Sequence, residues 1–452
     1  MNFFLEWLLM YWQAAVVPYE AGSEELYIWA SAFILASGII AFYIYRHKSM
    51  SRKNHFEKKE AMELKIDQPI AQHPMVDTSL CIGCGSCVDA CPEGNVLGLV
   101  GGKAVIVNGL RCVGHGRCAE ACPVEALAIG LGDVSQREDI PFFDDNYQTN
   151  IQGIYIVGEL GGLALVKNAF NQGAAAVRAI ARDYKPQPSS SVYDLLIVGA
   201  GPSGISAALT ASQLGLSCLV IDQNKAGGTV LQYPRKKMVL TQPVEIPCYG
   251  WLKKPQYQKE ELLAIWDEAI EKQGLLIRNE TKLSQIDRLE DGFRVSTSKG
   301  DFQARRVILA LGRRGTPRTL NIPGEEKSKV MYKLLDAASF QNEHLLVVGG
   351  GDSAVEAALA LAAQKGNTVT LSYRKHKFFR IKIRNRERLE KALARGLLRA
   401  VLQSSPTEIG DDVAFLKTED GVMELPCDYV FIFAGGVPPF DLLKKIGVKF
   451  GG

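Results

Sequence analysis

Charge of either sign is missing from Leu26 to Tyr45, which reads LYIWASAFILASGIIAFYIY. Lysine and arginine are missing from the first 25 residues, which hold Glu6, Glu20, Glu24 and Glu25. A net surplus of charge is missing too: 52 basic against 49 acidic residues leave +3. That balance argues against a dedicated nucleic-acid binder. A chain 47% apolar and 22% charged is neither disordered nor collagen-like. The lack of a basic start argues against a cleaved signal peptide.

What is present begins with that uncharged run. Twenty helical residues rise about 30 Å, the thickness of a bilayer core. Tyr27 and Trp29 near one end and Tyr43 and Tyr45 near the other supply an aromatic belt. Arg46, His47, Lys48, Arg52, Lys53, Lys58 and Lys59 follow. The positive-inside rule predicts one inner (cytoplasmic) membrane span over 26–45, with the N-terminus outside and all that follows Arg46 in the cytoplasm. Residues 1–25 are expected outside, with 3–17 as an interfacial helix because the apolar stretch is short and holds Glu6. Residues 46–72 read as a basic linker.

Seven of the ten cysteines fall between 81 and 122. A cytoplasmic location disfavours disulfides, so the cluster points to metal or redox chemistry. Residues 81–92 read CIGCGSCVDACP, the C-x2-C-x2-C-x3-C-P spacing that holds iron–sulfur cubanes. Residues 112–123 read CVGHGRCAEACP, the same frame with His115 at the second ligand position. Residues 76–131, within an expected domain over 73–132, resemble the bacterial two-cluster ferredoxins. That resemblance implies crossed ligation: Cys81, Cys84, Cys87 and Cys122 around one 4Fe–4S cluster, and Cys91, Cys112 and Cys118 around the other. Two forms of the second cluster stay open. Either His115 ligates a fourth iron, raising the potential as imidazole does in Rieske centres, or the site holds a 3Fe–4S cluster with His115 a bystander.

Two dinucleotide fingerprints follow. YDLLIVGAGPSG (193–204) runs from an apolar strand into Gly199, Gly201 and Gly204, then a helical stretch, and a second strand ends on Asp222. Gly199 permits the turn, Gly201 lets a pyrophosphate approach the helix N-terminus, Gly204 lets helix and strand pack, and Asp222 can accept ribose hydroxyls. LLVVGGGDSAVE (345–356) repeats the pattern with Gly349, Gly351 and Ala354. Its second strand ends near Arg374, Lys375 and Arg380, where basic side chains suit a 2′-phosphate. NADPH is favoured there, with NADH left open.

With VILALGRRGTPR (307–318) and DYVFIFAGG (428–436) as crossovers, residues 193–452 resemble the thioredoxin-reductase-like flavoproteins. The resemblance implies FAD at the first fingerprint and NAD(P)H at the second, an FAD domain over 193–312 and an NAD(P)H domain over 313–434, with 435–452 returning to the FAD domain. Two departures stand out. No CxxC occurs in 193–452, so a dithiol reductase is disfavoured. The family's last FAD element is missing from the tail and is met upstream, in IQGIYIVGELGGLALVKNAFNQGAAAVRAIARD (151–183). Residues 133–184 therefore read as that element circularly permuted, with Gly158 and Glu159 facing the flavin and the chain end expected beside 135–145.

The expected fold is α/β, with two Rossmann-like dinucleotide-binding domains, a small ferredoxin-like two-cluster domain and one transmembrane helix. The expected function is membrane-anchored electron transfer between NAD(P)H, FAD and iron–sulfur clusters, to or from a one-electron carrier protein or membrane partner. The alternative is an NADPH-dependent reductase of a quinone or small disulfide working directly at the flavin. The flavoprotein resemblance also admits a homodimer.

Overall fold

The computed structural model describes residues 23–63, 67–69, 72–132, 137–186 and 191–451. The expected interfacial helix at 3–17 lies outside them. The first element is a continuous helix, Ser23–Glu63, long and apolar enough over its first half to cross a membrane. Residues 27–50 are exposed throughout.

The basic linker expected over 46–72 is corrected here: its residues 46–63 continue the helix. The reason is tertiary. Ser51, Asn54, Glu57 and Ala61 recur at helical spacing and turn one stripe inward. Ser51 Oγ accepts the Gly101 amide, and Asn54 Nδ2 donates to Leu99 O at 3.1 Å. A charge-rich run reads as solvated in sequence, yet its long side chains cover only one side of this helix.

The cysteine-rich domain is small and pseudo-symmetric. Two antiparallel strand pairs, His73–Val76 with Leu127–Gly130 and Leu97–Val100 with Lys103–Ile106, flank two one-turn helices, Ser86–Asp89 and Arg117–Glu120. Its core is built largely from the cysteines themselves with Val96, Leu97, Leu99 and Leu127.

Two larger sheets, one mixed and one parallel, organise the rest, with smaller antiparallel sheets beside them. The first runs Ile277–Arg278, Cys218–Ile221, Tyr193–Val198, Gly300–Leu309, then antiparallel to Gly292–Thr297 and Leu283–Leu289. Ile154–Ile156 joins it in parallel beside Val307–Leu309. Helix Val166–Asp183 crosses the fingerprint helix Pro202–Gln213 at contact distance: a Cβ on Gly173 would lie 2.1 Å from Ser203 O. The chain ends beside residues 140–142: Phe142 N donates to Lys449 O at 2.8 Å and Gly451 N to Ile140 O at 3.1 Å. The second sheet, Val330–Met331, Tyr429–Ile432, His344–Val348, Thr368–Tyr373 and Arg399–Leu402, is parallel throughout. The near-continuous apolar strands LLIV and LLVV are buried on both faces, as parallel sheets covered by helices require. The two crossovers pair with each other through Thr316–Pro317 and Gly436–Val437.

Candidate redox site

The seven clustered cysteines divide between two cavities. One is lined by Cys81, Cys84, Cys87 and Cys122; the other by Cys91, Cys112, Cys118 and His115, with Glu93. Gly83, Gly85, Gly114 and Gly116 take left-handed φ values of 70° to 87°, wrapping each loop around its cavity. Among the described residues, no three His, Cys, Asp or Glu side chains converge enough to hold a single metal ion. Tetrahedral zinc would draw its thiolates within about 4 Å of one another. Four cysteines lining one cavity match the ligand number of a 4Fe–4S cluster.

The electrostatics fit such a group as well. Burial, then Cys118, Cys81 and Cys84, push the Cys87 thiol up to about 11. Burial, then Cys91, push Cys118 up to about 11. Thiols that resist ionisation beside one another become thiolates when a cationic cluster sits among them. Cys84 differs: it is exposed, and its hydrogen bond to Ser86 holds it below the usual thiol value.

At the second cavity, burial holds the His115 imidazole below its usual value, which keeps it neutral. Its Nδ1 accepts the Arg117 amide at 3.3 Å. The ring proton therefore sits on Nε2, and iron ligation through either nitrogen requires the ring to release that amide. Glu93, 5% exposed, lines the same cavity and pairs with Lys382 at 2.9 Å. Sequence reading missed Glu93, because its partner lies 289 residues away.

Both fingerprints form strand–turn–helix units. Gly199 has φ 111°, and a Cβ there would come 2.4 Å from Ala310 O. A Cβ on Gly204 would come 1.8 Å from Gly199 O. The middle glycines are different. Gly201 meets nothing nearer than Gly228 Cα at 3.8 Å, and Gly351 meets nothing within 4 Å. Each caps a helix N-terminus without a side-chain cap, so amides and open space face outward together. That is the cradle a pyrophosphate fills. Gly349 has φ 145° and would press on Phe433 O, while Ala354 is fully buried as the close-packing third position. Asp222 accepts the amides of Ala200 and Asn224, both at 2.7 Å, which offsets the upward push of burial on its carboxyl. Arg374, Lys375 and Arg380 are exposed just beyond strand Thr368–Tyr373.

Gly158 has φ 80° and donates its amide to Gln172 Oε1 at 2.7 Å. Glu159 is accessible yet ringed by protein; burial pushes its carboxyl up against the pull of Arg313 and Arg314. Burial pushes the Tyr233 hydroxyl up, with Arg314 opposing and Glu159 and Glu356 adding to that push.

The stretch 223–260, a one-turn helix Gly228–Leu231 and two short antiparallel strand pairs, bridges all three domains. Arg235 and Lys237 pair with Asp336 at 3.3 Å and Glu356 at 2.5 Å in the second-sheet domain. Gln242 Nε2 donates to His115 O at 3.1 Å. The sequence marks this stretch only as long, Pro- and Gly-rich and therefore functional; its partners are non-local. The remaining cysteines, Cys218, Cys248 and Cys427, are free, and Cys248 bonds only weakly to Leu209 O.

Residues 196–451 match the family described as pyridine nucleotide-disulphide oxidoreductase. The chain belongs to that family. Residues 73–123 match the 4Fe–4S dicluster domain. It is thus an FAD-dependent oxidoreductase with a 4Fe–4S domain. A ferredoxin–NADP reductase of Ignicoccus hospitalis is 31% identical over 264 residues, 57% of this chain and 82% of the relative. The bacilliredoxin reductase of Bacillus subtilis is 26% identical over 262 residues, 56% of this chain and 80% of that one. In fold the chain is similar to bacillithiol disulfide reductase from Staphylococcus aureus, with a TM-score of 0.51 and 22% identity over 57% of this chain and 81% of that structure.

Proposed function

We propose that this oxidoreductase exchanges electrons between NADPH and a one-electron carrier through two iron–sulfur clusters in series. When bound, a flavin here would supply the conversion between one hydride, a pair of electrons, at the nicotinamide and single electrons at the clusters. Gly199, Gly201, Gly204, Asp222, Gly158 and Glu159 hold the flavin nucleotide in this reading. Gly349, Gly351 and Ala354 hold NADPH, with Arg374, Lys375 and Arg380 on its 2′-phosphate. Cys81, Cys84, Cys87 and Cys122 hold one cluster. Cys91, Cys112 and Cys118 hold the other, beside His115.

The observation that carries the reading is the placement of the two cavities. The His115 cavity adjoins both dinucleotide domains through Gln242 and Lys382. The other cavity ends on exposed Cys84. The inner site is thereby suited to trade with the flavin and the outer one with a partner. Direction depends on the potentials, and the same parts run either way. We read 133–184 as the family's last element placed ahead of the first fingerprint: the family match begins only at 196, yet Ile154–Ile156 lies in the same sheet. We also place the chain in the inner membrane through 26–45.

Anaerobic titration with NADPH, followed by optical and electron-paramagnetic spectra, tests the reading. The expected result is flavin bleaching followed by two distinct cluster signals. Flavin that bleaches while both clusters, poised at accessible potentials, stay oxidised would sink it. A second reading, reduction of a small molecule at the flavin, is favoured by the absence of a CxxC in 193–452. It predicts that Cys84→Ser leaves turnover with that substrate intact.

A further inference from the structure

The long N-terminal helix and the cysteine-rich domain are tied together at defined levels along one axis. Ser51 Oγ accepts the Gly101 amide at 3.3 Å, and the neighbouring Gly102 abuts the first cysteine loop, where a Cβ on Gly83 would lie 2.0 Å from Gly102 O. Lys103 Nζ donates to Cys81 O at 2.7 Å and Ala104 N to Cys81 Sγ at 3.4 Å. The loop carrying Cys81 and Cys84 therefore lies level with Ser51. Ser51 is six residues past Tyr45, about 9 Å at 1.5 Å per residue. Nine residues further down, Glu60 pairs with Lys377, and Ala61 packs with Phe379. That is about 14 Å farther from Tyr45. The His115 cavity belongs to this distal level: Glu93 pairs with Lys382, Arg111 donates to Phe379 O at 3.2 Å, and Gly94 faces Ile383.

We infer that the helix acts as a ruler that sets the Cys81–Cys84–Cys87–Cys122 site at the bilayer surface, as the docking port for a redox protein resident in the same membrane. The inference rests on the proposed membrane span and on the clusters in series. Leu80 and Ile82, 53% and 64% exposed, flank Cys81 on the loop that also carries Cys84 and supply an apolar contact surface there. Arg46 and Lys48 lie between span and port, and Arg52 and Lys53 lie level with the port, where anionic headgroups attract them. A soluble carrier needs no fixed height, whereas a partner confined to the bilayer does. The cavity beside Cys84, lined by the four cysteines with Leu99, Ala104 and Leu127, is the cluster's own site in this reading, which leaves surface contact as the route for an electron. No bond forms or breaks at the port: one electron crosses per encounter, and two encounters balance one NADPH oxidised to NADP with release of one proton.

The test uses the full holo chain in vesicles doped with a gadolinium-chelate headgroup lipid. Electron spin relaxation is measured for both reduced clusters, the port signal being the one that Cys84→Ser removes. The expected result is several-fold faster relaxation of the port signal and little change in the other. Inserting four alanines after Lys48 lifts the port by about 6 Å and should weaken that enhancement. The insertion should also slow NADPH-driven reduction of a headgroup-tethered ferrocenium lipid while leaving soluble ferricyanide reduction unchanged. Equal relaxation of both signals, or insertion-independent rates with the tethered acceptor, overturns the port. Release of the chain by alkaline carbonate overturns the membrane reading itself, which separates the two failures.

Discussion

Cys84 and His115 hold the same place in two loops of the same spacing, and their surroundings are opposite. Cys84 is exposed, next to Ser86, with its thiol held low. His115 is half-buried, its carbonyl tied to Gln242, with Glu93 and Lys382 beside its cavity. A repeat gives both loops the same glycine turns and the same reach around a cavity. The contacts each half makes outside the repeat then give one an outward face and the other an inward one. The same frame can thus serve two ends of one path.

The largest expected effect breaks the outer half alone. Cys84→Ser removes a ligand from the exposed site, so about half the iron is lost. One-electron transfer to a protein acceptor should fall by roughly 10–100-fold or more, while NADPH still bleaches the flavin at the native rate in stopped flow. A second test makes the halves alike. His115→Cys restores the thiolate frame and should lower the inner cluster's midpoint potential in an electron-paramagnetic redox titration, with the outer one unmoved. An unchanged inner-cluster potential in His115→Ala would mark His115 as a bystander.

The two nucleotide turns offer a parallel contrast between glycines pinned by protein and glycines facing open space. Gly199→Ala forces a Cβ onto Ala310 O at a left-handed φ and should cost roughly 1–3 kcal/mol in chemical denaturation. Gly351→Ala meets nothing within 4 Å and should leave stability within about 1 kcal/mol, while raising the KM for NADPH. Arg374→Ala should raise the KM for NADPH by about 10-fold through one lost charge-assisted phosphate contact, with NADH kinetics unchanged. The smallest effect falls on the junction. Gln242→Ala removes one hydrogen bond to the His115 carbonyl, worth about 1 kcal/mol. It should slow flavin-to-cluster transfer a few-fold without altering flavin reduction.

Legibility in the sequence followed the range of the interactions. The cysteine frames, both fingerprints and the apolar span are local patterns, because turn geometry, helix starts and bilayer thickness act over a few to twenty residues. Gly199 and Gly204 were readable for that reason: the turn needs them wherever it is placed. Glu93, Gln242 and Lys237 were not readable, because their partners Lys382, His115 and Glu356 lie 289, 127 and 119 residues away. Residues 46–63 misled for a related reason. Their charges advertise solvent, and the stripe of Ser51, Asn54 and Ala61 means something only once Leu99, Gly101 and Phe379 come to meet it.

The sequence by itself determined the set of parts: an uncharged run long enough for a bilayer, two cysteine loops and two nucleotide turns, each fixed by short-range geometry. The tertiary structure decided how they connect. Packing across hundreds of residues sorted the cysteines into two cavities, turned one towards the flavoprotein domains and one towards solvent, and set the whole domain at one level on the helix. Those choices depend on surfaces that exist only after the chain has folded, and no local pattern encodes them.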